Sequence, residues 1–372
     1  MKHDPNAATV ETISEGGVTK GAVAQHLRAR IVAGEFPPGA RLPPRSTLEQ
    51  LFGTTKVTVQ RAFNDLSDDG FIAVKGKQGT FVAEAPPHLT RYGVLFPKYP
   101  ESTSYISRFW SALAAESDEI TKSGPRTMVS FYGMQEGISQ WGRNRLHHEI
   151  RTHQLAGIIY VYNPGESDAE THKLLERFAV PRIAITHSSV PIAMPAISID
   201  YASFFDGALD EIAARGKERV AIMFPNTVDT QFGDHVRNAL SKRGLSTKPY
   251  WWLPMNLGIP ASARPFTHLL MNPDQNLRPD ALIVADDNLL DEVVLGLDDA
   301  GVRLPDDLLV VGHTNFPTAP APYHGSMKLL GFDVPRILEQ CLNLLERQRR
   351  GEPVPAITKT PAVFGVSPRI RA

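Results

Sequence analysis

A chain of 372 residues is too long for one average domain, and at 42% hydrophobic and 21% charged it has the make-up of an ordinary soluble protein. The net charge of −1 and the single cysteine, Cys341, exclude a polyelectrolyte and an intramolecular disulfide, and they fit a reducing compartment. No run approaches the roughly twenty apolar residues of a membrane span, and the first seventeen lack an apolar signal core, so a cytoplasmic protein is expected.

Residues 1–17 are polar and read as a disordered tail. Residues 18–84 read as one small domain. Over 22–33, Val23, Leu27, Ile31 and Val32 share a helical face. A short helix over 46–52 turns Leu48, Leu51 and Phe52 inward, and 55–66 repeats apolar positions at Val59, Ala62, Phe63 and Leu66. Only Gly53 and Thr54 separate these two helices, which leaves room for a helix-turn-helix and little else. Gly70 closes the third helix, and the β-rich runs 71–74 and 80–83 flank a basic, glycine-rich tip over 75–79. The pattern predicts a winged helix-turn-helix.

These residues resemble the GntR-type winged-helix family. The matches in register are Gly34, Pro38, Gly39, Leu42, Pro43, Leu48, Phe52, Gly53, Thr58, Val59, Ala62, Leu66, Gly70 and the run Gly79 to Val82. One position departs: the family's arginine at the start of the second helix is Ser46 here, with Arg45 one residue earlier. If the third helix enters the major groove, Thr55, Lys56, Thr58, Gln60 and Arg61 are left facing DNA. Lys56 can donate to guanine, Gln60 can pair with adenine, and threonines can reach phosphates or thymine methyls. Lys75, Gly76 and Lys77 on the wing would follow a phosphate backbone or the adjacent minor groove. Residues 20–84 hold nine Lys or Arg against six Asp or Glu, a net of +3 in a chain of −1, so positive charge gathers where the motif needs it.

Residues 85–90 open with Ala85, Pro86, Pro87 and His88 and read as a short stiff linker. From residue 91 to 372, short apolar strands alternate with amphipathic helices. Candidate strands are 92–96, 126–131, 157–162, 182–186, 196–199, 219–224, 281–284 and 308–311; candidate helices include 106–121, 141–153, 169–178, 204–214, 230–243 and 288–300. Such alternation predicts α/β architecture with parallel sheets, where ligands bind beyond the carboxyl ends of the strands.

Two stretches, 197–223 and 278–313, resemble the LacI/GalR sensor domain. The resemblance implies a two-lobed periplasmic-binding-protein fold of type I, with homodimerisation through the sensor and a cleft between the lobes. One lobe would use 91 to about 190 plus a helix over 333–350; the other would use about 195 to 313 plus a last strand near 356–366. Asp287 falls on the family's ligand-binding aspartate, with Asp286 beside it, and suits a polyol. The family's clamping arginine aligns with Phe232, and another aspartate aligns with Thr314, after His313. Tyr99, Tyr105, Phe109, Tyr132, Tyr162, His187, Asp229, Trp251 and Trp252 sit at predicted loop or strand ends; the two tryptophans are the residues best suited to stack on a sugar ring. Asp200 reads as the cap of a helix beginning near Ser203.

Catalytic constellations are missing: there is no P-loop, HExxH, GxSxG or cysteine cluster. Asp286 and Asp287 are adjacent at a strand end and are expected to point apart. An aminotransferase-like fusion would demand a longer chain and a Schiff-base lysine, and neither Lys217 nor Lys328 has that setting. The reading is a transcriptional regulator with no enzymatic activity and no cofactor. Its expected partners are a near-palindromic DNA operator, a second copy of itself and a small-molecule effector; with two polar anchors replaced, a regulator lacking an effector stands as the alternative.

Overall fold

The computed structural model describes residues 19–99, 107–135, 140–164, 169–187, 192–226, 230–317 and 326–365. The tail, Tyr105 and Asp229 lie outside the described residues. The chain forms two compact units. One runs to Arg91 and takes in Arg145–Ala156 and Leu174–Val180; the other holds the remainder.

The first unit contains helices α1 (Lys20–Val32), α2 (Arg45–Phe52) and α3 (Lys56–Asp68), then a hairpin of β1 (Ile72–Val74) and β2 (Thr80–Val82). Thr19 caps α1 by accepting from the Ala22 amide, and Thr55 caps α3 by accepting from the Thr58 amide. Gly53 ends α2 at φ 56°, a left-handed conformation that costs glycine little. The apolar stripes of the three helices meet around Leu27, Leu48, Val59, Phe63 and Leu66, and Phe71, Ile72 and Val82 close the core. Burial of this kind contributes about 1.5–3 kcal/mol per large side chain. The segment read as a stiff linker contains one helical turn, α4 (Pro87–Thr90), and His88 stacks on Phe71 with ring centroids 5.7 Å apart.

The second unit has two six-stranded sheets. In the first the order is β13-β7-β6-β5-β3-β4, formed by β3 (Arg91–Leu95), β4 (Thr127–Phe131), β5 (Gly157–Tyr160), β6 (Arg182–Thr186), β7 (Ala196–Asp200) and β13 (Ile357–Pro361). In the second it is β14-β12-β11-β10-β8-β9, formed by β8 (Val220–Pro225), β9 (Trp252–Met255), β10 (Ala281–Val284), β11 (Leu309–Phe316), β12 (Lys328–Asp333) and β14 (Val363–Phe364). Apart from the antiparallel β12–β14 pair, the recorded pairings in both sheets are parallel. Their central strands are buried almost throughout (Ile158, Ile159, Ile183, Leu282 and Ile283 among them), as strands covered on both faces must be.

Helices used below are α5 (Arg108–Ser123), α6 (Gln140–Arg151), α7 (Ala169–Arg177), α8 (Tyr201–Ala214), α9 (Thr230–Lys242), α10 (Ala263–Leu270), α11 (Leu290–Asp299) and α12 (Val334–Arg349). The helix expected over 333–350 is α12, and it packs on α5, β5 and β6. The expected division of the lobes needs correction: β7 and β13 both belong to the first sheet, where Ile357 to Pro361 pair with Ala196 to Asp200. Only the two-residue β14 reaches the second sheet. The crossing between lobes therefore comes at Asp200, whose side chain accepts from the Ser203 amide and caps α8. Strands β9 and β12 were not expected, because Trp252–Met255 is interrupted by Pro254 and Lys328–Asp333 by Gly331.

Candidate functional site

The residues expected to face DNA and the cavity belong to different units. In the first unit, Lys56 and Arg61 are exposed on α3, and Ser46 on α2. Gly76 and Lys77 lie in an exposed turn at the wing tip, with Gly76 at φ 56°. Four expected contacts, Thr55, Gln60, Lys75 and Arg45, are partly committed within the protein. Thr55 spends its hydroxyl on the cap and stands 3.0 Å from the Thr58 hydroxyl. Gln60 donates to Asn64 at 2.8 Å, one turn along α3. Lys75 lies over the Phe81 ring and 3.8 Å from Glu84, while Arg45 sits over Phe63 at 5.5 Å. Val57 escaped the sequence reading: it is 58% exposed in the first turn of α3, where an apolar side chain can meet a thymine methyl. The signal was its place between two residues expected to face DNA, outside the apolar stripe.

In the second unit a cavity of about 180 Å³ opens at the carboxyl ends of the strands. Ser107, Phe109 and Trp110 at the start of α5 form one side, with His187 after β6, Ile199 on β7 and Tyr201 at the start of α8. Asp286, Asp287 and Asn288 after β10 form another, with His313 and Asn315 on β11, Phe332 on β12 and Leu257 after β9.

Asp287 is the most constrained group here. It is 3% exposed and accepts from Asn315 Nδ2 at 2.8 Å. Burial pushes its carboxyl up to about 6, opposed by the Asn315 amide and the charge of Arg108. Asp286 caps the short turn Asp287–Leu289, accepting from the Asn288 amide at 2.9 Å; burial, then the charge of Asp287, raises its pKa. The expectation that these carboxylates point apart is overturned, because the chain leaves the extended conformation after Asp286 and both line the cavity.

His313 is 2% exposed and stacks on Tyr201 with centroids 5.7 Å apart. Burial holds its imidazole down at about 4, so it is neutral near pH 7. Its Nδ1 stands 3.9 Å from Asp287, and neither ring nitrogen has a hydrogen-bond partner among the described residues. Arg108 forms an ion pair with Asp291 on α11, and its backbone amide donates to Asn288, so α5 is tied directly to the second lobe.

Of the residues expected at the cleft, the structure brings Asp287, His313, Phe109 and His187 together at the cavity. Thr314 does not line it: alternation along β11 sends His313 and Asn315 one way and Thr314 the other. Trp251 is 2% exposed in the core beside Met223 and Leu282, at the amino end of β9. Trp252 donates to Thr247 and meets Phe224 edge-on, away from the cavity. Both tryptophans are therefore core and strand-end packing. Tyr132 stacks on Phe96 at 4.8 Å and is not among the lining residues. Phe232 lies within α9, and its side chain is outside the described residues. Asn315 was missed, although its i+2 spacing from His313 was a usable signal. Tyr201 was missed because nothing local marks it.

Residues 19–82 match the family of bacterial regulatory proteins of the gntR type, and residues 209–369 match a periplasmic binding protein-like domain. The arabinose metabolism transcriptional repressor of Geobacillus stearothermophilus is 22% identical over 319 residues, covering 80% of this chain and 82% of that protein. The histidine utilization repressor of Pseudomonas aeruginosa is 37% identical over 62 residues, 17% of this chain and 25% of its own length. Among solved structures, a LacI family transcriptional regulator from Arthrobacter sp. FB24 in complex with lactose aligns with a TM-score of 0.56 at 18% identity, covering 74% of this chain and 97% of that one. The transcription regulator CcpA of Lactococcus lactis aligns at 0.52 and 14% identity, covering 74% and 97%. At such identities the likeness to solved structures speaks for the fold. Residues 19–82 thus form a gntR-type DNA-binding region and residues 209–369 a periplasmic binding protein-like domain, in a chain whose larger part has the fold of LacI family regulators.

Proposed function

We propose that this protein is a ligand-responsive transcriptional repressor of carbohydrate-related genes, acting in the cytoplasm. A domain spanning 18–84 would bind DNA, and the sensor over 91–372 would bind a small molecule in the cavity around Asp287. The observation that carries this reading is that cavity: it places a buried carboxylate and a hydrogen-bond-hungry imidazole beyond strand ends, in a chain whose relatives are transcriptional regulators. A buried carboxylate is costly unless something donates to it; the Asn315 side chain and the backbone amides of Asp287 and Asn315 do so, yet burial still dominates, which leaves a benefit for a donating ligand. The arabinose repressor's name supports a carbohydrate effector.

The operator would be near-palindromic and the active species a homodimer, two winged helices meeting two half-sites. Phe266 and Leu269, exposed three residues apart on α10 near exposed Ile259, support a self-association face on the sensor. Lys56 and Gln60, freed from Asn64, would read bases, with Val57 on a methyl; Lys75 and Lys77 would hold phosphates.

Two experiments test this. Selection of binding sites from random duplexes, followed by titration of salt, should give a log–log slope of about −6 if each half contacts three or four phosphates. A slope near zero, or full binding after removal of the first 85 residues, contradicts the reading. A thermal-shift screen of the full chain against sugars and their derivatives should show stabilisation of about 2.7 kcal/mol at a hundred times the dissociation constant.

A further inference from the structure

We infer that the effector of the Asp286–Asp287 cavity is a small hydroxylated amine, an amino sugar or amino alcohol, bound as its cation. The inference rests on the effector reading above and adds the charge of the ligand to it.

Three observations converge. First, two carboxylates, Asp286 and Asp287, line one cavity, and no Lys or Arg lies among its described lining residues. The guanidinium whose charge reaches Asp287 is that of Arg108, and it is committed to Asp291. A neutral sugar would fill the cavity and bury both charges further without a counter-charge, and a phosphate or carboxylate would add a third negative group. An ammonium removes the conflict, because a buried carboxylate is tolerated when it is paired and hydrogen-bonded.

Second, His313 is buried at the cavity wall with neither ring nitrogen hydrogen-bonded among the described residues. A neutral imidazole presents one donor and one acceptor, and a hydroxyl group can answer either. His313 cannot itself be the missing counter-charge, since burial keeps it neutral. That calls for a ligand with hydroxyls beside its charge.

Third, the rest of the wall is aromatic. Trp110, Tyr201 and Phe332 line the cavity, with Tyr201 and Phe332 centroids 5.4 Å apart. Ring faces attract a cation near about 6 Å and also stack on an apolar sugar face. Among the described residues no three or more His, Cys, Asp or Glu are grouped so that they could hold a metal ion.

Calorimetric titration of the full chain tests the charge directly, using matched sets: D-glucosamine, D-glucose and D-glucose 6-phosphate, and the corresponding galactose and mannose sets. The expected result is that in at least one set the amine binds ten times or more tighter than the neutral sugar, with the phosphate weakest. That preference should shrink in Asp286→Asn and Asp287→Asn, and it should fall as pH drops from 7 to 5. The titratable and charged groups facing Asp287 are Asp286, His313, His187, Tyr201 and Arg108. Among the two carboxylates, Asp287 is the one pushed up to about 6, inside that window. A neutral sugar bound as tightly as its amine, with binding lost in Asp287→Asn, overturns the charge and leaves the effector reading standing. Amine binding that is indifferent to both substitutions, or no amine binding in any set, also overturns the inference; in that last case the thermal-shift screen decides separately whether the cavity takes any effector.

Discussion

In the winged helix, the charged groups that matter stand in water: Lys56, Arg61 and Lys77 are exposed, and beneath them the core is apolar from Leu27 to Val82. In the sensor cavity the arrangement is reversed. Asp287 and His313 are 3% and 2% exposed, and rings such as Phe332 surround them. A solvated lysine costs nothing to keep charged and becomes useful when a phosphate replaces its counterion. A carboxylate held in a dry wall destabilises the folded state whenever it is ionised. On the proposed function, the first region would recognise a polyanion by long-range attraction, and the second a small molecule by leaving polar groups in need of it. Each can therefore be disabled without the other.

The largest effect should come from the core of the winged helix. Phe63→Ala should cost about 3–5 kcal/mol in that domain and abolish DNA binding. Differential scanning calorimetry should still show the sensor's own transition near its wild-type temperature. Loss of both transitions together would mean that the two regions are not separable.

Next in size is a substitution that should stabilise. A carboxyl raised from 3.8 to about 6 costs the fold about 3 kcal/mol once ionised. The folded pKa lies above the unfolded one, so stability is fullest below about 3.8, falls as pH rises, and is lost above about 6. Asp287→Asn removes the ionised form. Thermal melts should place it above wild type at pH 8, by up to that amount, and level with it near pH 4. A variant less stable than wild type at pH 8 would mean that the carboxylate is structurally compensated.

On the DNA side, Lys56→Ala or Gln60→Ala should cost about 1–3 kcal/mol at the cognate site and relax preference at one position per half-site. Lys77→Ala should weaken all sequences nearly equally, which binding-site selection on each variant would reveal. If Lys77 set specificity and Lys56 were silent, the placement of α3 in the groove would be wrong. The smallest effect belongs to Arg108→Ala. Its ion pair with Asp291 is half-exposed, so stability should change by no more than about 1 kcal/mol in urea titration.

The two regions also differ in how far the sequence reveals them. The winged helix was legible in its helices and turns, because turn glycines and the apolar stripe are local features: Gly53 and the spacing of Val59 to Leu66 fall within fifteen residues, whereas the capping role of Thr55 was not read. The cavity gathers residues from Ser107 to Phe332, and only Asp287 and His313 could be placed there from a family motif. Asn315 was missed, although alternation along β11 from His313 could have found it. The tryptophans misled because aromatic residues near a strand end look alike whether they face a cleft or a core. The place of β13 in the first sheet is fixed by pairing with β7 over 150 positions away, which no local pattern encodes, whereas β7 itself joins through its sequence neighbour β6.

The central claim is that a ligand at Asp287 governs DNA binding by residues far away in sequence. It is tested most directly by fluorescence anisotropy on a selected operator, comparing wild type with Asp287→Ala, with and without the compound found in the thermal-shift screen. A ligand can shift the protein only by its differential affinity for two states. Asp287→Ala should therefore bind operator as wild type does without the compound, and its response should fall at least tenfold, about 1.4 kcal/mol. A response equal to wild type would contradict the account.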